Sequence, residues 1–378
     1  MLAVSRAMRI LLDFGAIKTG GGAQLAVNFL EYLEQLAPGG HDFALLIPEV
    51  GPLAALERRR EYLRVVVSPR SYRERLQLEN GSLQRFITEC GIDAIFTFFG
   101  AGLPHPPRVK SVVSVAYPVI CYPESPYWLN AGIKERLQVR ALNWMRVRRL
   151  RQASSIIAET DIMKERVSRV LRFPAQRIRV IPPVVSAHVR HLERTDQAPA
   201  RRFAFVSSNE THKNLWRLHE IARGAVARGF RDFIFRLTVT REAYLQRLVG
   251  SRHEVQLIDR HFDFIGPISP REIMRVYENA DCVVSLSDLE SFSNNYMEAW
   301  KVGLPLIVSD RDFDHAICGA SALYVDPHDT QAVVAALLQV HGDPALRHRL
   351  VADGKRRLGE LPTLPQRASM VLAELGAA

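Results

Sequence analysis

Two glutamates eight positions apart, Glu290 and Glu298, enclose the polar run Ser291–Asn295 within "DLESFSNNYMEAWKVGLPLIVSD" (Asp288–Asp310). Carboxylates accept hydrogen bonds from sugar hydroxyls. A loop that ends at a helix start also presents free backbone N–H groups and the positive end of the helix dipole, which together hold phosphate. The stretch follows "CVVSLS", which reads as a buried strand, and a helix is expected to begin near Asn295. Glu298, expected in the first helical turn, suits ribose hydroxyls. Glu290, at the strand's carboxyl end, suits hydroxyls of a sugar beyond the phosphates. Ligands of open α/β sheets bind at those carboxyl ends. The bland alternative is that the acids serve as helix caps and surface charge.

The elements that must position these acids follow one rhythm, run twice. "RILLDF", the glycine stretch "GAIKTGGGAQ" and "LAVNFLEYLEQLA" read as strand, loop and helix, with Leu25, Phe29, Leu33 and Leu36 at helical spacing. "FALLIPEV", "LRVVVS", "AIFTFF" and "SVVSVAY" read as further buried strands. Nearly continuous apolar runs of this kind fit parallel strands covered on both faces. The paired prolines of "RVIPPVVS" mark a linker around Pro182–Ala187. The rhythm then restarts: "RFAFVSS" as strand, "NETHKN" as loop, "LWRLHEIARGAVARG" as helix. "FIFRLTV", "VQLIDR", "FDFIG", "CVVSLS", "LPLIVSD" and "ALYVD" follow as strands. The expected architecture is α/β, two facing doubly wound, Rossmann-like parallel-sheet domains with a cleft between them. Expected boundaries are 1–183 and 184–362, with a helical tail, 363–378, that can cross back to the first domain.

The 378 residues suit two domains at roughly 100–200 residues each. No apolar run approaches the roughly 20 residues of a bilayer span, and the start is too polar for a secretory signal. The scattered Cys90, Cys121, Cys282 and Cys318 form no CxxC pair, which argues against a disulfide frame or a zinc site and for a cytosolic setting. Charge is lopsided. Residues 1–190 hold 27 Lys and Arg against 16 Asp and Glu, a net of +11; the remaining 23 and 24 give −1, which together make the chain's +10. Such asymmetry points one half at a polyanion or an anionic membrane. "GIKERLQVRALNWMRVRRLRQ" (Gly132–Gln152) supplies much of it. Ile133, Leu137, Ala141, Trp144, Val147 and Leu150 form one stripe, and Arg140, Arg146, Arg148 and Arg149 lie mostly elsewhere. This helix either packs its stripe on the core or meets a membrane surface. No nucleic-acid recognition motif accompanies the charge.

The passage Val255–Pro327, with "FIGPISPREIMRVYENADCVVSLSDLESFSNNYMEAWKVGLPLIVSD…ALYVDPHD", resembles the donor-binding half of glycosyltransferases of the GT-B fold, family four in particular. The resemblance runs from about Pro182 to Leu338, and the first half resembles the family more loosely through its glycine loop. It implies a retaining glycosyltransferase. Such an enzyme moves a hexose from a nucleotide-diphosphate sugar to a saccharide or polyprenyl-diphosphate-linked acceptor in envelope polysaccharide, lipopolysaccharide or glycolipid assembly. It would work without a metal or other cofactor, in the cytoplasm or at the inner face of the cytoplasmic membrane. In the family's E-x7-E pair the first acid, here Glu290, touches the hexose and the second, here Glu298, the ribose. Amides of about Phe292, Ser293, Asn294 and Asn295 hold the diphosphate. Lys213 matches the lysine that neutralises the leaving diphosphate. The partner arginine is absent, with Ser208 and Asn209 near its place, and Ser208 is grouped with the donor-binding residues. Gly21 and Gly22 let backbone approach the diphosphate or acceptor, although the same glycines also suit a plain tight turn. The family's histidine is replaced by Ala116 and Tyr117, and His105 nearby reads as a loop residue. "SDRDFD" (Asp310, Asp312, Asp314) imitates a DxD metal motif but is read as loop. The competing functions are a nucleotide-sugar epimerase or another GT-B relative, and a non-catalytic nucleotide-sugar-binding protein.

Overall fold

The computed structural model describes residues 7–17, 20–35, 41–56, 58, 60–130, 132–193, 198–248 and 255–376. Lys18 and Thr19 of the glycine stretch, and Leu36, lie outside the described residues. The chain divides into two units. The first comprises 1–123, 132–184 and 362–378; the second comprises 124–131 and 185–361.

The first unit is built on a seven-stranded parallel sheet: β1 (Arg9–Asp13), β2 (Asp42–Pro48), β3 (Val65–Ser68), β4 (Ala94–Thr97), β5 (Lys110–Ser114), β6 (Ser155–Ala158) and β7 (Ile178–Val180). Its order is β3-β2-β1-β4-β5-β6-β7. The apolar runs are buried on both faces: Ile10, Leu11 and Leu12 are fully covered, as are Ala94, Ile95 and Phe96. Strands β6 and β7 were not anticipated. The apolar run of β6 is only Ile156, Ile157 and Ala158, and β7 is interrupted by Arg179 just before the paired prolines.

Helix α1 (Gly20–Gln35) follows β1 and buries Leu25, Phe29 and Leu33. The glycines expected in a loop are its first turn. A Cβ on Gly22 would stand 3.2 Å from the Phe99 ring, so the close packing of that turn on Phe99 calls for glycine there. The last helix (Leu364–Leu375) opens on a capping box between Thr363 and Gln366. It packs Ala368, Val371 and Leu375 into the same core as Phe14 and Phe98. Arg367, 1% exposed, donates to the Pro182 carbonyl at 3.1 Å and lies over the Phe98 ring.

The second unit has a six-stranded parallel sheet: β8 (Arg202–Phe205), β9 (Ile234–Leu237), β10 (Phe262–Phe264), β11 (Cys282–Ser285), β12 (Leu306–Ser309) and β13 (Ala322–Val325). Its order is β10-β9-β8-β11-β12-β13. One strand expectation is overturned. "VQLIDR" lies in a helix, Val255–His261, because its buried residues, Ile258 and His261, fall three apart on one face rather than alternating. "SDRDFD" is likewise no plain loop, since Asp312–Cys318 is helical.

In both sheets the order reverses at the first strand of the unit, between β1 and β4 and between β8 and β11. Loops that leave the carboxyl ends at such a switch point diverge to opposite faces and open a crevice. The loops after β8 and β11 carry Lys213 and Glu290.

Candidate active site

The switch point of the second sheet brings together residues far apart in sequence. Lys213 closes a single 3-10 turn, Thr211–Lys213, after β8. The next residue, Asn214, has φ 55°, a left-handed conformation that asparagine tolerates. Its Nδ2 donates to the Leu286 carbonyl (2.9 Å) and to Asp288 Oδ2 (2.7 Å), which ties the β8 loop to the β11 loop. Lys213 Nζ then forms an ion pair and hydrogen bond with Glu290 Oε1, with 18% and 11% of the two side chains exposed.

The loop that bears Glu290 is anchored by Asp288, 2% exposed. Besides Asn214, its carboxylate receives Arg311 Nη2 at 2.9 Å and has His328 Nε2 at 2.9 Å. Its backbone N–H donates to the His212 carbonyl at 2.8 Å. Reading the sequence did not single out Asp288, Asn214, Arg311 or His328. A signal was available: Arg311 follows β12 and His328 follows β13, and carboxyl-end loops of adjacent parallel strands converge.

The helix Asn294–Val302 starts beside this pair; its N-cap, Ser293, makes no side-chain cap bond. Neither glutamate caps the helix. Glu290 holds Lys213, and Glu298, the fifth helical residue rather than a first-turn one, accepts the Tyr277 hydroxyl at 2.6 Å. Phe292 and Asn294 are half-buried and Ser293 is buried. Asn295 is also half-buried, and its Nδ2 donates to the Val206 carbonyl at the end of β8. Ser208 is exposed. The helix ends at Gly303, φ 92°, where a Cβ would stand 3.2 Å from His191.

The three aspartates of "SDRDFD" do not share a site. Asp310 pairs with His315, while Asp314 is fully buried and accepts the Tyr296 hydroxyl at 2.5 Å. Burial pushes the Asp314 carboxyl well above the usual range, and the nearby Glu290 charge adds to the shift.

Burial holds the Glu298 carboxyl up at about 7, with the Tyr277 bond partly offsetting it. The folded protein therefore binds this proton more tightly than the unfolded chain, whose carboxyl sits near 4.5. The group favours folding below that lower value, and the contribution, about 3 kcal/mol, is lost as pH rises through about 7. Glu298→Gln keeps an acceptor for Tyr277 and carries no charge to bury. Thermal melts should show the variant gaining stability over the wild type at about pH 8 and not below about pH 5. A pH-independent difference would contradict the burial argument.

In the first unit, Gly21 and Gly22 lie in the first turn of α1. The corresponding switch point carries Asp13, 1% exposed, whose Oδ1 accepts the Gly15 N–H at 2.9 Å. Burial raises its carboxyl, opposed by the Arg75 charge. Tyr117, at the place of the family's histidine, has its ring under the Arg146 guanidinium at 4.5 Å, and burial raises its hydroxyl.

The stripe of helix α2 (Ile133–Leu150) does not pack on the core along its whole length. Leu150 is buried, but Ile133 (79% exposed), Leu137 (63%) and Trp144 (64%) face solvent, as does Ala141. The basic residues divide, which corrects the grouping made from sequence. Arg140 and Arg148 are exposed. Arg149 pairs with buried Glu79 at 2.7 Å, and Arg146 covers Tyr117. Buried acids and rings on the inner side draw those two arginines away from the outer face.

Two family models match the chain: "Glycosyltransferase Family 4" over residues 19–188 and "Glycosyl transferases group 1" over residues 200–357. The chain belongs to the GT-B glycosyltransferases, of the family 4 type. Among curated proteins none matches it. Solved structures share the glycosyltransferase's fold at low identity. HepE from Anabaena, in complex with UDP and glucose, aligns with TM-score 0.70 at 14% identity over 98% of this chain and 100% of its own. WaaG, a glycosyltransferase involved in lipopolysaccharide biosynthesis, gives 0.71 at 13% identity over 97% and 99%. Sucrose-phosphate synthase from Thermosynechococcus elongatus gives 0.71 at 17% identity over 96% and 97%. Among the described residues of this glycosyltransferase no helix is long and apolar enough to cross a membrane.

Proposed function

We propose that this glycosyltransferase moves a hexose from a nucleotide-diphosphate sugar to a saccharide or lipid-linked acceptor, with retention and without a metal ion, in envelope polysaccharide or glycolipid assembly. The observation that carries the reading is the Lys213–Glu290 pair at a switch point, beside a helix start that no side chain caps. The helix N–H groups and the Lys213 ammonium bind the diphosphate. Glu290 accepts hydroxyl hydrogen bonds from the hexose, and Glu298 from the ribose. As the bond from the anomeric carbon to the diphosphate oxygen breaks, the acceptor oxygen bonds to the same face of that carbon. The acceptor's proton passes to the departing phosphate oxygen. That route needs two fixed partners rather than a histidine base, which accommodates Tyr117 at the histidine's place. Positive charge near the leaving oxygen stabilises what develops there. HepE was solved with UDP and glucose, and WaaG is described as serving lipopolysaccharide biosynthesis, which favours the same classes of donor and acceptor here.

The test is a screen of nucleotide sugars by thermal shift, followed by turnover with and without acceptors in excess EDTA. A bound donor raises the melting temperature by mass action. Donor consumed only with an acceptor supports transfer. Consumption without one points to an epimerase, and binding without consumption to a non-catalytic binder. Activity abolished by EDTA and restored by manganese contradicts the metal-free reading.

The acceptor side falls to the first unit, and the outer face of α2 suits a membrane-borne acceptor. Ile133, Leu137 and Trp144 are apolar and exposed, flanked by exposed Lys134, Arg140 and Arg148. Each basic side chain near an anionic bilayer contributes about 1 kcal/mol, falling off within a Debye length. Vesicles with anionic lipid should sediment the protein at low salt, less so at high salt, and neutral vesicles should not. Trp144→Ala should weaken binding, and Arg146→Gln, on the inner side, should change it less than Arg148→Gln. Equal, negligible binding to both vesicle types would leave α2 a helix with a solvated basic face.

A further inference from the structure

Residues 124–131 come from the first half of the sequence, between β5 and α2, yet they group with the second unit. The described part, 124–130, includes a one-turn helix, Tyr127–Asn130. It is seated on both loops that form the candidate donor site. Ser125, 5% exposed, donates its Oγ to the Asp288 carbonyl at 2.8 Å and accepts the Tyr127 N–H at 3.3 Å. The Tyr127 ring meets His212 edge-on, 6.0 Å between centroids, and Trp128 meets Tyr127 at 5.0 Å. His212 and Asp288 are themselves joined backbone to backbone. His212 precedes Lys213, and Asp288 lies two residues before Glu290. One strap therefore grips the neighbours of both members of the ion pair.

We propose that Ser125 and Tyr127 are positioning residues of the Lys213–Glu290 pair, and this rests on the donor-site reading above. Both act through residues that neighbour the ion pair in sequence. Ser125 holds the turn that aims Glu290, through the carbonyl of Asp288. Tyr127 covers His212 and so fixes the 3-10 turn that ends in Lys213. Burial of His212, followed by the Lys213 charge beside it, pushes its imidazole down to about 4, so a neutral ring lies under Tyr127 at physiological pH. Two charged groups have to be held at fixed positions if they are to act on a developing charge rather than on bound substrate in general. The strap also joins, across a single residue outside the described set, the N-cap of α2, Gly132. The element that orients the donor site is thus continuous in sequence with the basic helix.

The experiment compares Ser125→Ala and Tyr127→Ala with wild type, with Tyr127→Phe as the conservative variant. Steady-state turnover with the donor found by the screen should fall about tenfold in kcat for the alanine variants, with donor KM within about twofold. Tyr127→Phe, which keeps the ring edge on His212, should restore most of the loss. A second readout needs no turnover: the rate at which Lys213 is acylated by acetic anhydride, followed by peptide mapping. An ammonium held against Glu290 reacts slowly, and loosening the pair should speed Lys213 by at least about threefold, with other lysines unchanged. Unchanged Lys213 reactivity in both alanine variants overturns the proposal, whether or not the wild type turns over any donor. Equal changes in all lysines also overturn it, because they report general loosening. A wild type that binds and consumes no nucleotide sugar sinks the functional reading alone.

Discussion

Replacing Lys213 by alanine is expected to lower turnover by about a hundredfold while donor affinity falls by less than about tenfold. The split follows from when the charge appears. A nucleotide-diphosphate sugar already carries negative charge when it binds, and in the proposed site the N–H groups of the Asn294–Val302 helix share in holding it. The extra charge on the leaving oxygen arises only as the sugar departs, and a fixed ammonium acts on that difference. Lys213 also compensates Glu290, whose side chain is 11% exposed. Removing one member of so buried a pair leaves the other uncompensated and is costly. The double variant Lys213→Ala, Glu290→Gln separates the two effects. It should recover thermal stability relative to Lys213→Ala without recovering turnover. Losses of equal size in kcat and in donor affinity would remove Lys213 from its assigned role.

Glu290→Gln is expected to cut transfer by at least about tenfold, equivalent to about 1.4 kcal/mol of barrier, with nucleotide affinity nearly intact. Glutamine keeps the shape and one acceptor oxygen. It loses the charge that orients Lys213 and the second strong acceptor for sugar hydroxyls. On the proposed assignment, nucleotide lacking the sugar makes no use of that carboxylate, so its affinity serves as the internal control. Calorimetry with nucleotide and with nucleotide sugar, beside turnover, distinguishes the cases. A variant that loses affinity for the bare nucleotide would move Glu290 from the hexose to the nucleotide. Glu298→Ala supplies the contrast, because its expected loss is in nucleotide binding.

Local order was legible wherever it depended on neighbours in sequence. The runs "RILLDF", "AIFTFF" and "LPLIVSD" are strands because a continuous apolar, β-branched stretch can only be covered on both faces, as β1, β4 and β12 are. The Leu25, Phe29, Leu33 spacing marks the buried face of α1 for the same kind of reason. "VQLIDR" failed because a short apolar run has no period long enough to separate strand from helix. Strand β6 was missed because its apolar run is only Ile156, Ile157 and Ala158, and β7 because Arg179 interrupts it just before the paired prolines. The first-turn position expected for Glu298 failed by one residue, since the helix starts at Asn294 rather than Asn295.

By itself the sequence determined two parallel α/β units, a proline-marked change between them, and a stretch with two acids at a helix start. Each of these is a property of short windows or of motif order. The tertiary structure alone decided which groups meet. The sheet order puts β8 beside β11, so Lys213 reaches Glu290 across 77 positions. It adds Arg311 and His328 from the next two strand ends to Asp288. It turns Arg146 and Arg149 inward while Ile133, Leu137 and Trp144 stay in solvent. It also sends 124–131 out of the unit that precedes and follows them in sequence. Side-chain pairing across a sheet edge depends on strand order and loop path, and both are settled by how the whole core closes.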